Sequence, residues 1–487
     1  MELFFEGHQE KYTLEQIMLT LFPEERPVYP DAPAGDRWAR VSLREGERYL
    51  SASTLLRYDG AEYRGLARVG REKCVDPLET ERQRRHILGK SFYRAAVQCL
   101  GQKPPWGSLG GVRPAKLMRS LLDEGVSERA APGRFSRLYD VDPERSSLCL
   151  DAAKAARAAQ TLLAPGDVCL YVGVPFCPTR CAYCSFVSQS VEKSLKLVEP
   201  FTQALLRDIA ATGAAARAAH CRPRALYLGG GTPTTLSPDQ LHRVFLALES
   251  AFDLSDCREI TVEAGRPDTI TAEKLSVLRS HGVTRVSVNP QTMQDRVLEA
   301  IGRRHTAEDV LRALALVRAA GEFQVNMDLI AGLPEDSLSG FRDTLDRVLE
   351  LGAENVTVHT LSLKKGSRIT LEGTRLPPPA EVAEMVDLAS GRLRAAGYAP
   401  YYLYRQKFMA GGLENVGWCR PGTENLYNIC IMEELCSILA MGAGGSTKLL
   451  HGQGRLDRFF APKYPQEYIQ GIETICAGKA RIREGDA

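Results

Sequence analysis

Residues 164–400 predict an α/β fold, a parallel sheet wound with its helices into a (β/α)6 barrel, a partial barrel or a full one. Three observations predict it. Short apolar runs alternate with longer amphipathic stretches, the unit occurs six times, and polar or glycine residues gather at the trailing end of the runs. DVCLYVGV reads as the first buried strand and SLKLVEPFTQALLRDIAATGAAARAA as its helix. RALYLGGG with PDQLHRVFLALESAF, REITVEA with AEKLSVLRSHG, and TRVSVNPQ with EDVLRALALVRAAG repeat the unit. QVNMDLIAGLP precedes SLSGFRDTLDRVLELG, and NVTVHTLSL precedes a helix near Pro379–Ala396. Parallel neighbours need crossover connections of this length, and the right-handed crossover winds them one way.

Residues 1–163 lack that repeat. MELFFEG, WARVSLREG and AEYRGLARV suggest short strands, and ETERQRRHILGKSFYRAAVQCLG suggests a basic amphipathic helix, so an N-terminal α+β and helical domain is expected. Residues 401–487 are expected to be mainly helical and to cover the substrate, with ICIMEELCSILAM read as one helix. The chain has 487 residues, 62 Lys+Arg against 60 Asp+Glu, and a hydrophobic fraction of 44%. So balanced a charge predicts no nucleic-acid partner. No run of 18 apolar residues is present, which predicts no membrane insertion. Thirteen cysteines without an export signal are expected to be thiols in a reducing cytoplasm.

Cys177, Cys181 and Cys184 fall within eight residues as C-x-x-x-C-x-x-C, directly after the first strand. A structural zinc site wants a fourth protein ligand, and none follows at a usual spacing. A redox pair of Cys181 and Cys184 leaves Cys177 unexplained. A [4Fe-4S] cluster held by three thiolates, with one iron open to a small chelator, is the economical reading, and three unrelated loop thiols are the bland one. The polar residues share the trailing strand ends: Gly229–Gly231 after the second strand, Glu263 at the third, Asn289 and Gln291 at the fourth, Asp328 and His359 on the fifth and sixth. In barrels of this kind that end carries the working site. GGGTPT lacks a Gly-Lys-Ser/Thr ending, so it is a close-approach turn rather than a P-loop.

The cysteine motif after a short apolar strand resembles the radical S-adenosylmethionine family. VGVPFCPTRCAYCSF, with GWCRPGTENLYNICIMEELCSILAMGAGGSTKL, is similar to the HemZ branch of the oxygen-independent coproporphyrinogen III oxidase-like proteins. That resemblance implies that Cys177, Cys181 and Cys184 ligate the cluster. Gly230, Gly231 and Thr232 would hold the methionine end of S-adenosylmethionine. Tyr171 matches the tyrosine six residues before the first cysteine, and Tyr183 would cover the adenine. Glu263 would accept the ribose hydroxyls, and Gln291, Arg303 and Asp328 match further positions around the cofactor. Gly442–Gly445 with Ser446 resembles a loop over the substrate cavity, though glycine there also suits a helix C-terminus. Cys430 and Cys436, on one helix but on different faces, are expected to be buried structural thiols, as is Cys419. Arg405, Lys407, Lys364 and Lys365 could pair with propionates but are expected to be solvated.

Two positions depart from the oxidase pattern: Gly173 stands in place of a histidine and Phe186 in place of a cysteine. The implied function is a tetrapyrrole-converting radical enzyme, with oxidative decarboxylation of coproporphyrinogen III propionates to vinyl groups as the leading reaction. The alternatives are an anaerobic haem-modifying radical enzyme and a haem-binding or haem-delivery protein. A flavodoxin or ferredoxin-type electron donor and a monomeric state are expected.

Overall fold

The computed structural model describes residues 1–184, 189–362, 367–406, 412–452 and 455–484. Phe186, Lys364, Lys365 and Lys407 lie outside the described residues. The chain forms two compact units, Met1–Leu150 with Arg405–Leu413, and Asp151–Tyr404 with Glu414–Ala487.

In the first unit a four-stranded sheet runs in the order β1 (Glu2–Glu6), β2 (Trp38–Glu45), β3 (Tyr49–Tyr58), β4 (Ala61–Gly70). β1 and β2 are parallel and the rest antiparallel. β3 was not read from the sequence, although Leu50, Ala52, Thr54 and Leu56 alternate inward along it. α1 (Lys11–Leu21) and α2 (Pro77–Leu100) bury Leu14, Met18, Leu88 and Phe92 in one core with the sheet. α2 starts at Asp76, whose carboxylate accepts the Glu79 N–H with Pro77 next in line, and stops at Gly101 in the left-handed region. α3 (Pro114–Asp123) and α4 (Ala131–Tyr139) follow, and α5 (Pro143–Gln160) crosses the division between the units.

In the second unit β5 (Asp167–Val174) is followed by a two-residue pair, β6 (Phe176–Cys177) with β7 (Gln189–Ser190), and then α6 (Val191–Ala218). Next come β8 (Arg222–Gly230), α7 (Pro238–Ala251), β9 (Glu259–Val262), α8 (Ala272–Ser280) and β10 (Arg285–Ser287). α9 (Asp295–Ala300), α10 (Ala307–Ala320), β11 (Gln324–Ala331), α11 (Leu338–Glu350), β12 (Asn355–Thr360), α12 (Arg368–Glu372) and α13 (Pro379–Ala395) complete the repeat. β5, β8, β9, β10, β11 and β12 lie side by side and parallel, as the sequence predicts. Ser237, Thr271, Thr306 and Ser337 each cap a barrel helix by accepting a backbone N–H.

The mainly helical C-terminal region is corrected. β13 (Ala399–Tyr404), β14 (Asn415–Cys419), α14 (Leu426–Glu433), β15 (Ser437–Gly442), β16 (Ser446–Leu450) and β17 (Leu456–Phe460) precede α15 (Pro465–Gln470) and α16 (Ile472–Gly478). The sheet thereby grows to eleven strands, with β14 and β13 beyond β12 and β15, β16 and β17 beyond β5. Glu434, at φ 55°, ends α14, and all six residues of SILAMG are then buried on a strand parallel to β5. A continuous apolar run has no period by which helix and strand differ. Cys169 and Ala225 from β5 and β8 share one core with Tyr402 and Cys419 from β13 and β14. Strands far apart in the sheet thus face each other, which makes the sheet a partial barrel.

α14 is held inside that curl by Glu259. Its buried carboxylate accepts the Leu426 and Tyr427 N–H groups at 2.9 and 2.8 Å, with Arg285 3.8 Å away. Asn425 caps this helix by accepting the Asn428 N–H, so Glu259→Ala takes away the acceptor of the Leu426 and Tyr427 N–H groups and the carboxylate beside Arg285. The expected loss is about 3–5 kcal/mol, read as a lower denaturant midpoint against Glu259→Gln, which keeps the shape.

Candidate active site

The trailing ends of the parallel strands meet as predicted from topology, and the cysteine loop is laid across them by backbone bonds. Gly231 N–H donates to Val174 O and Thr232 N–H to Phe176 O, both at 2.7 Å. Glycine is required at 231, because a Cβ there would stand 2.4 Å from Phe176 O. The Thr232 hydroxyl donates to Cys177 Sγ at 3.5 Å, joining the glycine turn to the first thiol. Further along, Thr179 Oγ1 donates to Gly302 O at 3.2 Å and accepts from Arg266 Nη1 at 2.9 Å, while Ala182 N–H donates to Ile301 O at 2.9 Å.

Arg303 anchors the loop's far side. Its Nη1 donates to Asn289 O at 2.8 Å and its Nη2 to Tyr183 OH at 3.2 Å. Burial works against this charge, and Tyr183 and Cys181 outweigh it and favour the cation. Its Nε is buried without a hydrogen-bond acceptor among the described residues, a donor left for a ligand. Tyr183 packs against Val297, Leu298, Ile301 and Leu333.

Two carboxylates face the interior. Glu263 accepts the Tyr227 hydroxyl at 2.5 Å. Burial pushes its carboxyl up to about 7, against the Tyr227 hydrogen bond and with Asp328 adding like charge. Asp328 behaves oppositely. Burial disfavours its charge too, yet His359, whose Nε2 is 3.9 Å away, and the Asn326 amide at 2.8 Å hold it below the usual carboxylate range. Asn289 Nδ2 also donates to Asp328 at 2.7 Å. Gln291 sits beside them at φ 66°, its backbone bonded to Asp328 O and Ile330 N–H. A non-glycine residue in that region stores strain, and such strain clusters at working sites.

Tyr171 belongs to a stack of three tyrosines. Its ring lies 6.4 Å from Tyr227 and 6.1 Å from Tyr427, and those two are 4.5 Å apart. At Gly230 (φ 104°) a Cβ would stand 3.4 Å from the Tyr171 hydroxyl. Sequence reasoning missed Tyr227 and Tyr427 and gave Asn289 no role. Tyr227 had a signal, lying two residues before Gly229 on the inward phase of its strand, but Tyr427 had none, because α14 reaches the interior through a non-local packing. Gly442–Gly445 forms the turn between β15 and β16 rather than a helix end. That turn meets Gly173, where a Cβ would lie 2.6 Å from Ala443 O. Position 173 has no room for an imidazole while the two backbones lie this close.

Over residues 171–348 the sequence matches the Radical SAM superfamily. The oxygen-independent coproporphyrinogen-III oxidase-like protein HemZ of Bacillus subtilis is 38% identical over 497 residues, 99% of this chain and 98% of that protein. The heme chaperone HemW of the same organism is 33% identical over 50% of this chain and 64% of its own length. The solved structure of coproporphyrinogen III oxidase (HemN) from Escherichia coli superposes with a TM-score of 0.52 at 23% identity, over 66% of this chain and 72% of that one, a likeness of fold. The chain belongs to the radical S-adenosylmethionine superfamily, in its HemZ-like branch. Its cofactors are a [4Fe-4S] cluster and S-adenosylmethionine.

The residues present fit that pair. Three thiols lie on one short loop over a glycine cradle, with a buried arginine donor and two carboxylates of different basicity beside it. Replacing any one of the three by Ala is expected to abolish the cluster, read as lost iron and acid-labile sulfide after anaerobic reconstitution. Glu263 generates a second expectation. With its carboxyl raised from 4.5 to about 7, its contribution to stability is complete below pH 4.5 and is lost as pH rises through 7, about 3 kcal/mol in all. Glu263→Gln should flatten that stretch of the stability–pH curve.

Proposed function

We propose that this protein converts a tetrapyrrole by radical chemistry, with oxidative decarboxylation of coproporphyrinogen III propionates to vinyl groups as the leading reaction. The observation that carries the reading is the meeting of the cysteine loop, the glycine turn, Glu263, Gln291, Arg303 and Asp328 at one end of one curled sheet. End-to-end similarity to a coproporphyrinogen-III oxidase-like relative supports the substrate class.

Cys177, Cys181 and Cys184 hold the cluster. When bound, the cofactors would supply reductive radical chemistry that removes hydrogen from a propionate, and the electron released with CO₂ would pass to an external acceptor. The chain binds, orients and excludes water. Backbone groups at Gly230 and Gly231, with Thr232, receive the amino-acid end of S-adenosylmethionine. Tyr183 covers the adenine, and Tyr171 lines the floor beneath it. Glu263 accepts the ribose hydroxyls, for which it must be ionised. Arg303 ties the cysteine loop to the strand end at Asn289. Asp328, kept charged by Asn289, Asn326 and His359, fixes Gln291 through its own backbone. A flavodoxin or ferredoxin-type donor in the cytoplasm supplies the electron to a monomer. Among the described residues no helix is long and apolar enough to cross a membrane.

One observation favours a second reading. Gly173 is packed against Ala443, so the imidazole of the oxidase pattern is absent and has no space. A haem-binding or haem-delivery role, as the name of the HemW relatives describes for those proteins, then uses the same fold. The deciding experiment incubates reduced holoprotein with S-adenosylmethionine and coproporphyrinogen III without oxygen and quantifies 5′-deoxyadenosine, CO₂ and vinyl products. Matched yields are expected from the first reading. Cofactor cleavage without porphyrinogen product, together with a Soret shift on haem titration, transfers the assignment to the second. Glu263→Gln is expected to weaken S-adenosylmethionine binding by about 1.5–3 kcal/mol. Wild-type affinity should fall as pH drops below 7, and that of the variant should not.

A further inference from the structure

A second group of thiols lies deeper in the barrel. Cys169 is on β5, Cys430 on α14 and Cys436 immediately before β15. Their three sulfurs all lie within 4.8 Å of one another, and the Cys169 and Cys436 sulfurs are 3.6 Å apart. Among the described residues this is the one group of three or more His, Cys, Asp or Glu side chains whose ligand atoms meet that span. The expectation that Cys430 and Cys436 diverge on one helix is corrected. Glu434 reverses the chain after α14, and Leu435 N–H returns to Cys430 O, which brings the two thiols together. Cys419 belongs to the same apolar core but not to the sulfur triad.

The spacing suits chelation. Metal–sulfur bonds of about 2.3 Å put the sulfurs of a three- or four-coordinate ion roughly 4 Å apart, within the range seen here. A disulfide would need the two sulfurs at about 2.05 Å. Ala156, Ala159, Ala225, Ile429 and Ile438 belong to the surrounding core, and among the described residues no His, Asp or Glu joins the three thiols within that span. Soft thiolate sets of this kind select soft ions over magnesium, calcium or manganese. The tyrosine stack of Tyr171, Tyr227 and Tyr427 lies in contact with the same core, with Tyr227 reaching on to Glu263.

We propose that Cys169, Cys430 and Cys436 form a second, mononuclear metal site that takes monovalent copper, a soft closed-shell ion, through three sulfurs alone. On binding, S–H bonds give way to metal–sulfur bonds and up to three protons leave, so affinity rises with pH. The site is separate from the cluster ligands, and its occupant braces β5, α14 and β15 at one point.

The test uses the full chain with its iron–sulfur cluster reconstituted. The holoprotein is titrated without oxygen with copper(I) against a competing chelator, and in parallel with zinc(II) and with cadmium(II) as a spectroscopic stand-in. One tight equivalent beyond the cluster, with thiolate charge-transfer absorption, is expected. Cys169→Ala and Cys430→Ala should weaken it by more than the roughly 10–100-fold that an outer-shell change costs, with iron content unchanged. Tight copper(I) binding with weak zinc and cadmium binding supports the three-coordinate monovalent site, and zinc or cadmium held more tightly than copper(I) overturns it. Equal affinity in wild type and variants, or no tight copper(I) equivalent, overturns the proposal. If the variants do not fold, X-ray absorption at the metal edge of the loaded wild type decides. A shell of three sulfurs supports the site, and nitrogen or oxygen neighbours overturn it.

Discussion

The working end of this protein depends on backbones that approach too closely for side chains. A Cβ at Gly231 would meet Phe176 O at 2.4 Å, and one at Gly442 would meet Gly173 O at 2.2 Å. The first approach lays the cysteine loop on the turn after β8. The second presses the β15–β16 turn against the end of β5. Between them they set where the thiols and the exposed backbone groups stand. Packing density leaves no slack for an added methyl at either place. The glycine at 173 is therefore part of the scaffold and not merely a missing histidine.

The interior on which this frame closes is polar, and its charge is arranged unequally. Glu263 is buried more deeply than the Tyr227 phenol and the Gly230 backbone can offset and resists ionising near neutrality, whereas Asp328 has two amides and an imidazole and stays charged. Two carboxylates in one enclosure cannot both be comfortable as anions. Separating their environments leaves one as fixed structure and the other able to respond to an incoming hydroxyl pair.

The six parallel strands were legible because each is a short buried run with a helix of the right length behind it. The glycine turn and the cysteine spacing were legible because they are local. What was not legible is what the chain brings together from afar. The run ICIMEELCSILAM has no period, so only the left-handed Glu434 reveals that it is a helix and then a strand. The sulfur triad joins residues 267 positions apart, and no spacing rule reaches that distance. Tyr427 enters the barrel because Glu259 grips the start of α14, a contact between a strand and a helix far along the chain.

β15 has a bearing on the order of events during synthesis. Cys169 pairs in register with Ile438, a strand contact closed across most of the chain. Until the ribosome has delivered Gly442, β5 is an edge strand, with one side of its ladder open and the cysteine loop tethered to an unfinished wall. Pairings of such separation form late and slowly, and open edges invite wrong partners. The wall that carries the cysteine loop is complete only once β15 has docked on β5.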